Sequence, residues 1–163
     1  MEVGSGMLYP ASVIDGLVHQ LGGMKLALEC KLIGSFAGCP TGTAVSTSHA
    51  DEALKMSYDQ IVHTAPPFYK QDEHSIEMLN KCYVAAFDVA FEKAAKVACP
   101  LIGAGARGFP VKDALNVAVT ESLTWKDFEE NEVGVEKRLL FGIPDVAVAE
   151  EFVEALECAE RTI

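Results

Sequence analysis

No two of the five cysteines (Cys30, Cys39, Cys82, Cys99 and Cys158) stand at CxxC spacing, and none sits at ligand spacing from a histidine. A zinc ribbon, a disulfide framework and a CxxC redox centre are therefore excluded, and no metal or cofactor is expected. The odd count suits reduced thiols in a cytoplasmic protein. The chain also lacks a hydrophobic run long enough to cross a bilayer and a basic start followed by an apolar stretch, so a soluble protein without a leader is expected. Positive charge is scarce: 13 Lys and Arg stand against 24 Asp and Glu, a formal net charge of −11. With the basic residues scattered, neither nucleic acid nor an anionic membrane is an expected partner. A small anion held by backbone amides needs no basic patch and stays compatible.

What is present is apolar. Half of the 163 residues are hydrophobic, and a chain of this length fits one domain, residues 1–163, that buries roughly 70% of its unfolded surface. Residues 1–10, MEVGSGMLYP, read as a tail or edge segment. From Ala11 the pattern is helical: Val13, Leu17 and Leu21, with Ile14 and Val18, recur at three and four, and Met24 to Cys30 continue after a Gly22-Gly23 interruption. Short β-like runs follow around Thr43 to Thr47 and Tyr58 to His63, and "TAPPFYK" breaks regular structure.

Ser75 is the expected N-cap of a long helix whose apolar face carries Ile76, Leu79, Val84, Phe87, Ala90 and Phe91. "VACPLIG" and "KRLLFGI" read as fully buried strands. Pro110 opens a helix with Val111, Leu115, Val119 and Leu123, and Asp145 caps a last one with Val148, Phe152 and Leu156. Alternating strands and helices predict an α/β fold in three layers, a mixed β-sheet between helices.

Ligands of open α/β sheets bind where strands end and helices begin. The loop GAGARGF, from Gly103 through Ala104, Gly105, Ala106, Arg107 and Gly108 to Phe109, lies at such an edge. Its glycines let backbone amides approach a phosphate closely. The same spacing also suits a plain tight turn.

Four further segments accompany that loop in order. Ile14, Asp15, Gly16, Val18 and His19, with Gly23 behind them, match V-D-G-x-I-H and its small-residue ending. "CPTGTAV" matches a T-G-x-A strand entry, "IVHT" a V-I-H-T strand, and "LLFGIPDVAVAEEFVEAL" a closing strand and helix. Together with "LIGAGARGFP" these resemble the macro domain family, modules that bind ADP-ribose and in some cases hydrolyse ADP-ribosyl bonds. The resemblance runs from about Ala11 to about Leu156. It implies an ADP-ribose-like nucleotide as ligand, held by Ser12, Val13, Ile14 and Gly16 in one loop and by residues 103–109 in the other.

Departures accompany the matches. The family's opening strands, with an aspartate for adenine and an asparagine near the distal ribose, have no counterpart before Ala11, so an N-terminally shortened version is expected. Ala11, Ser12 and Val13 replace three glycines. Arg107 stands where an aromatic residue is frequent, and Pro144 where relatives stack an aromatic on adenine.

Within the resemblance Asp15 is the catalytic candidate, the carboxylate that orients a water; read alone, it is an acid in a first helical turn, favoured by the macrodipole. Arg107 offers a planar fork to phosphate or is a loop cation. Phe109 reads as packing beneath its loop, and His63 as a hydrogen-bonded buried histidine. Cys99 reads as buried rather than nucleophilic. The rival to a nucleotide module is a degenerate scaffold kept for assembly. A sheet edge left uncovered by missing strands predicts a homo-oligomer in either case.

Overall fold

Gly23 bends the first helix of the protein. In the computed structural model, which describes residues 14–48, 54, 57–125 and 136–161, its φ of 58° and ψ of −155° divide α1 (Ile14–Phe36) into two helical segments. Only glycine enters that backbone region at little cost, so the expected interruption and continuation both hold. After α1 come β1 (Ala44–Ser48), β2 (Gln60–Thr64), α2 (Glu73–Phe91), β3 (Lys96–Pro100), α3 (Val111–Thr124), β4 (Arg138–Gly142) and α4 (Val146–Glu160). The segments 1–13 and 126–135, with the expected tail, Ser12 and Val13, lie outside the described residues.

Strand directions are mixed, as expected, and the described strands form two separate pairs. β1 and β2 run antiparallel, with Val45 opposite His63 and Thr47 opposite Ile61. β3 and β4 run parallel, with Ala98 opposite Leu140. Successive strand residues point to opposite faces, so the β1–β2 pair offers one face to each of two helices. Val45 and Ile61 pack with Leu26 and Cys30 of α1. On the other face the Gln60 side-chain Nε2 donates to the Ala90 carbonyl of α2. This gives the helix–sheet–helix layering of an α/β fold.

The apolar runs of β3 and β4 are not buried on both faces. Cys99, Leu139 and Phe141 turn inward to α2, α3 and α4, while Lys96, Ala98, Arg138 and Leu140 are exposed. A short apolar run looks the same whether one face or two are covered, which is why the expectation failed. Around the inner face lies the main core, with Leu79, Tyr83 and Phe87 of α2, Leu115 and Val119 of α3, and Phe152 of α4.

Caps set the helix starts. Asp72, not Ser75, caps α2: its carboxylate accepts from the Ser75 amide at 2.8 Å. Ser75 takes the third helical position, where its hydroxyl also donates to Asp72. Both residue types favour caps, and spacing alone did not separate them. Pro110 sits one residue before α3 rather than in its first turn. Asp145 caps α4 as expected, accepting from the Val148 amide at 3.2 Å.

Candidate functional site

The loop between β3 and α3 is built from underneath. Tyr83, buried in α2, accepts a hydrogen bond from the Ile102 amide at 2.8 Å and fixes the chain where it leaves β3. Gly103 then turns with φ of 90°. A Cβ there would lie 3.1 Å from the Phe109 ring and 3.3 Å from Leu79, so this glycine answers to packing as well as to backbone conformation. The Phe109 amide closes the loop onto the Gly103 carbonyl at 3.2 Å, and the Gly108 amide onto that of Gly105 at 3.0 Å. Phe109 is 3% exposed and stacks on Tyr69 at 5.1 Å. Its side chain is therefore core, and only its backbone belongs to the loop.

The outer part of the loop differs. Gly105 and Gly108 face open space on their Cβ side. Among the described residues, the amides of Ala104, Gly105 and Ala106 donate to no protein acceptor. Adjacent unpaired N–H groups in such a turn form an anion-binding concavity.

Arg107 is neither extended nor free in solvent. Its guanidinium lies 4.5 Å above the Phe68 ring, and its carbonyl accepts from the Tyr69 amide at 2.9 Å. The segment that reads as a mere breaker, TAPPFYK, thus supplies the wall against which the loop is held. Two adjacent aromatics after two prolines were the sequence signal for it, and it was missed.

Asp15 lies in the first turn of α1, where Gly16 follows it and Ile14 is half exposed. Burial raises the Asp15 carboxyl pKa, while His19 and Arg107 draw it back. Arg107 of the 103–109 loop is thus near enough to the start of α1 for its charge to act on Asp15. His19 Nε2 approaches Asp15 Oδ1 to 3.3 Å; that oxygen nevertheless has no aligned hydrogen-bond donor among the described residues. The approach is therefore an electrostatic contact rather than a formed hydrogen bond.

A buried polar chain continues inward. The His63 ring lies 6.4 Å from that of His19, and its Nε2 is 2.7 Å from Thr47 Oγ1. Burial pushes the His63 pKa down to about 4, with His19 acting in the same sense and Glu29 opposing. His63 is thus neutral and hydrogen-bonded, as its sequence context implied. Cys99 is also inert, its thiol raised to about 12 by burial. None of the five cysteines forms a disulfide within the described residues.

These features define a class: an α/β module with a glycine-rich strand-to-helix loop set beside the acidic start of a kinked helix. The macro domain family profile matches residues 5–118. A macro domain-containing protein of Listeria monocytogenes serotype 4b (strain F2365) is 38% identical over 127 residues, covering 76% of this chain and 69% of the relative. One from Methanosarcina mazei is 36% identical over 123 residues, covering 74% and 60%. Among solved structures, the Oceanobacillus iheyensis macrodomain with ADP aligns with a TM-score of 0.78 at 23% identity, covering 99% of this chain and 83% of that one. The Trypanosoma brucei macrodomain in complex with ADP aligns at 0.71 and 23%, covering 90% and 57%. The chain belongs to the macro domain family.

Proposed function

We propose that the protein binds ADP-ribose or a related phosphate-bearing nucleotide between the start of α1 and the 103–109 loop. The observation that carries this reading is the row of amides at Ala104, Gly105 and Ala106, unclaimed by any acceptor among the described residues and open to solvent on the Gly105 side. Backbone amides bind a diphosphate without a basic patch, which suits a chain of net charge −11. Arg107, set on Phe68, adds a cation beside them. The ADP in the Oceanobacillus iheyensis and Trypanosoma brucei macrodomains supports the same ligand class.

Hydrolysis of an ADP-ribosyl bond is the second part of this reading, and Asp15 is its candidate for orienting the water. A carboxylate with a raised pKa beside an imidazole suits that task.

Calorimetric titration with ADP-ribose tests the binding. Ligand at one hundred times its dissociation constant is expected to add about 2.7 kcal/mol of stability. Gly105→Val, placed where no protein atom is met, is expected to abolish the heat while leaving the melting temperature unchanged. Asp15→Ala is expected to remove turnover of an ADP-ribosylated protein. Absence of heat at millimolar ADP-ribose in the wild-type protein would overturn the proposal and favour the scaffold role.

A further inference from the structure

Two buried polar atoms, Asp15 Oδ1 and His63 Nδ1, have no hydrogen-bond partner among the described residues. Leaving one such atom unpaired is costly, and the imidazole of His19 neighbours both. His19 Nε2 stands 3.3 Å from Asp15 Oδ1, and its ring centre lies 6.4 Å from that of His63. An imidazole nitrogen sits about 1.2 Å from its ring centre, so nitrogens turned toward each other would be about 4 Å apart, beyond a direct hydrogen bond. Two hydrogen bonds through one water span such a gap. At the far side of His63, Thr47 Oγ1 lies 2.7 Å from Nε2. His63 is 0% and Thr47 6% exposed, so bulk solvent reaches neither end of this contact. Burial keeps the His63 ring neutral, with His19 and Glu29 of α1 as the other groups acting on it among the described residues. Glu29 is itself occupied by the Ser48 amide and hydroxyl.

We infer that Thr47, His63, one bridging water and His19 form a directed hydrogen-bond chain that ends on Asp15, with Thr47 and His63 as positioning residues for its carboxylate. The direction follows from the last member. An ionised carboxylate only accepts, so His19 carries its proton on Nε2 and leaves Nδ1 bare. The water donates to that nitrogen and accepts from the Nδ1 proton of His63. His63 Nε2 is then bare and accepts from the Thr47 hydroxyl. Each member donates once toward Asp15, both orphaned atoms are satisfied, and each link polarises the next. In a histidine, the hydrogen bond at one nitrogen decides which nitrogen holds the proton. A threonine behind the sheet thereby sets the tautomer of the imidazole beside Asp15. Any effect on turnover rests on the hydrolysis reading given above; the order of the protons does not.

Nitrogen-15 NMR of the full chain near pH 8, above the usual imidazole range, reads the tautomers without substrate. In the wild-type protein His63 is expected to be protonated on Nδ1 and His19 on Nε2, with a cross-peak between the His63 Nδ1 proton and bound water. Thr47→Ser keeps the hydroxyl and is expected to preserve this order. Thr47→Val removes it and is expected to mix the His63 tautomers, to shift the His19 nitrogens, and to lower kcat for an ADP-ribosyl substrate about 10-fold with KM unchanged. Should Thr47→Val not fold, the wild-type and Thr47→Ser spectra decide the matter. A wild-type His63 protonated on Nε2, an Nδ1 proton without a water contact, or a folded Thr47→Val variant with both histidines as in the wild type would each overturn the inference. A wild-type protein that shows the expected order yet turns over no ADP-ribosyl substrate upholds the chain and removes the hydrolysis reading alone.

Discussion

The half of the molecule that holds Asp15 and the half that holds the main core are made from different materials. Around α1, β1 and β2 the fully buried apolar cluster within the described residues is Leu26 with Cys30, and the interior next to it is polar, with Thr47, His63 and Thr64. Around α2, α3, β3, β4 and α4, Phe87 meets Phe91, Tyr83 and Trp125 at ring separations of 5.8 to 6.3 Å, and Ala114, Leu115 and Val119 close the cluster. The Trp125 indole N–H is satisfied by Asp88 at 2.9 Å. α2 touches both halves, through Ala90 on β2 and Leu79 under the 103–109 loop. The aromatic half is closed by ring contacts, and the polar half holds the buried His63 and the partly buried Asp15.

The largest test of that contrast is Phe87→Ala. It empties a position 1% exposed and is expected to cost about 3–5 kcal/mol in urea unfolding. Leu26→Ala, in the thinner cluster, is expected to cost less; equal losses would break the comparison.

Next comes acid. His63 has a folded pKa of about 4 against 6.5 for the free side chain. The unfolded chain therefore takes the proton first. Stability is expected to fall as pH drops below about 6.5 and to level near pH 4, for a loss of about 3 kcal/mol. Asp15, raised by burial, works in the opposite direction, because its folded form holds a proton more readily than the unfolded one. His63→Gln is expected to flatten the fall between pH 6.5 and 4, and an unchanged pH profile in that variant would remove the polar half's special role. The smallest change is Asp145→Ala, which deletes the α4 cap and is expected to cost about 1 kcal/mol in urea unfolding. A loss as large as that of Phe87→Ala would show that the cap, rather than the aromatic cluster, anchors this half.

The parts legible in the sequence share a local cause. Backbone rules announce the Gly23 kink and the Asp145 cap, and they placed both correctly. The 103–109 loop was legible as a strand-to-helix turn because its glycines permit the positive φ found at Gly103 and Gly108. The outer side of α1 was not. Leu17 and Leu21 form a periodic stripe, and periodicity ordinarily marks the core face; here the buried side is the one with Asp15, His19 and Gly22. The helix is apolar on both sides, so its pattern could not say which one the sheet would take. Pairing of Arg107 with Phe68 was equally hidden, since it joins residues 39 positions apart.

That pairing has a thermodynamic consequence. An arginine normally surrenders much of its rotamer entropy when it grips an anion. Resting on an aromatic plane, Arg107 has already made that sacrifice during folding. In the proposed binding mode, an anion at this loop meets a guanidinium already held on Phe68, and that part of the ordering cost has moved from the binding step into the native state.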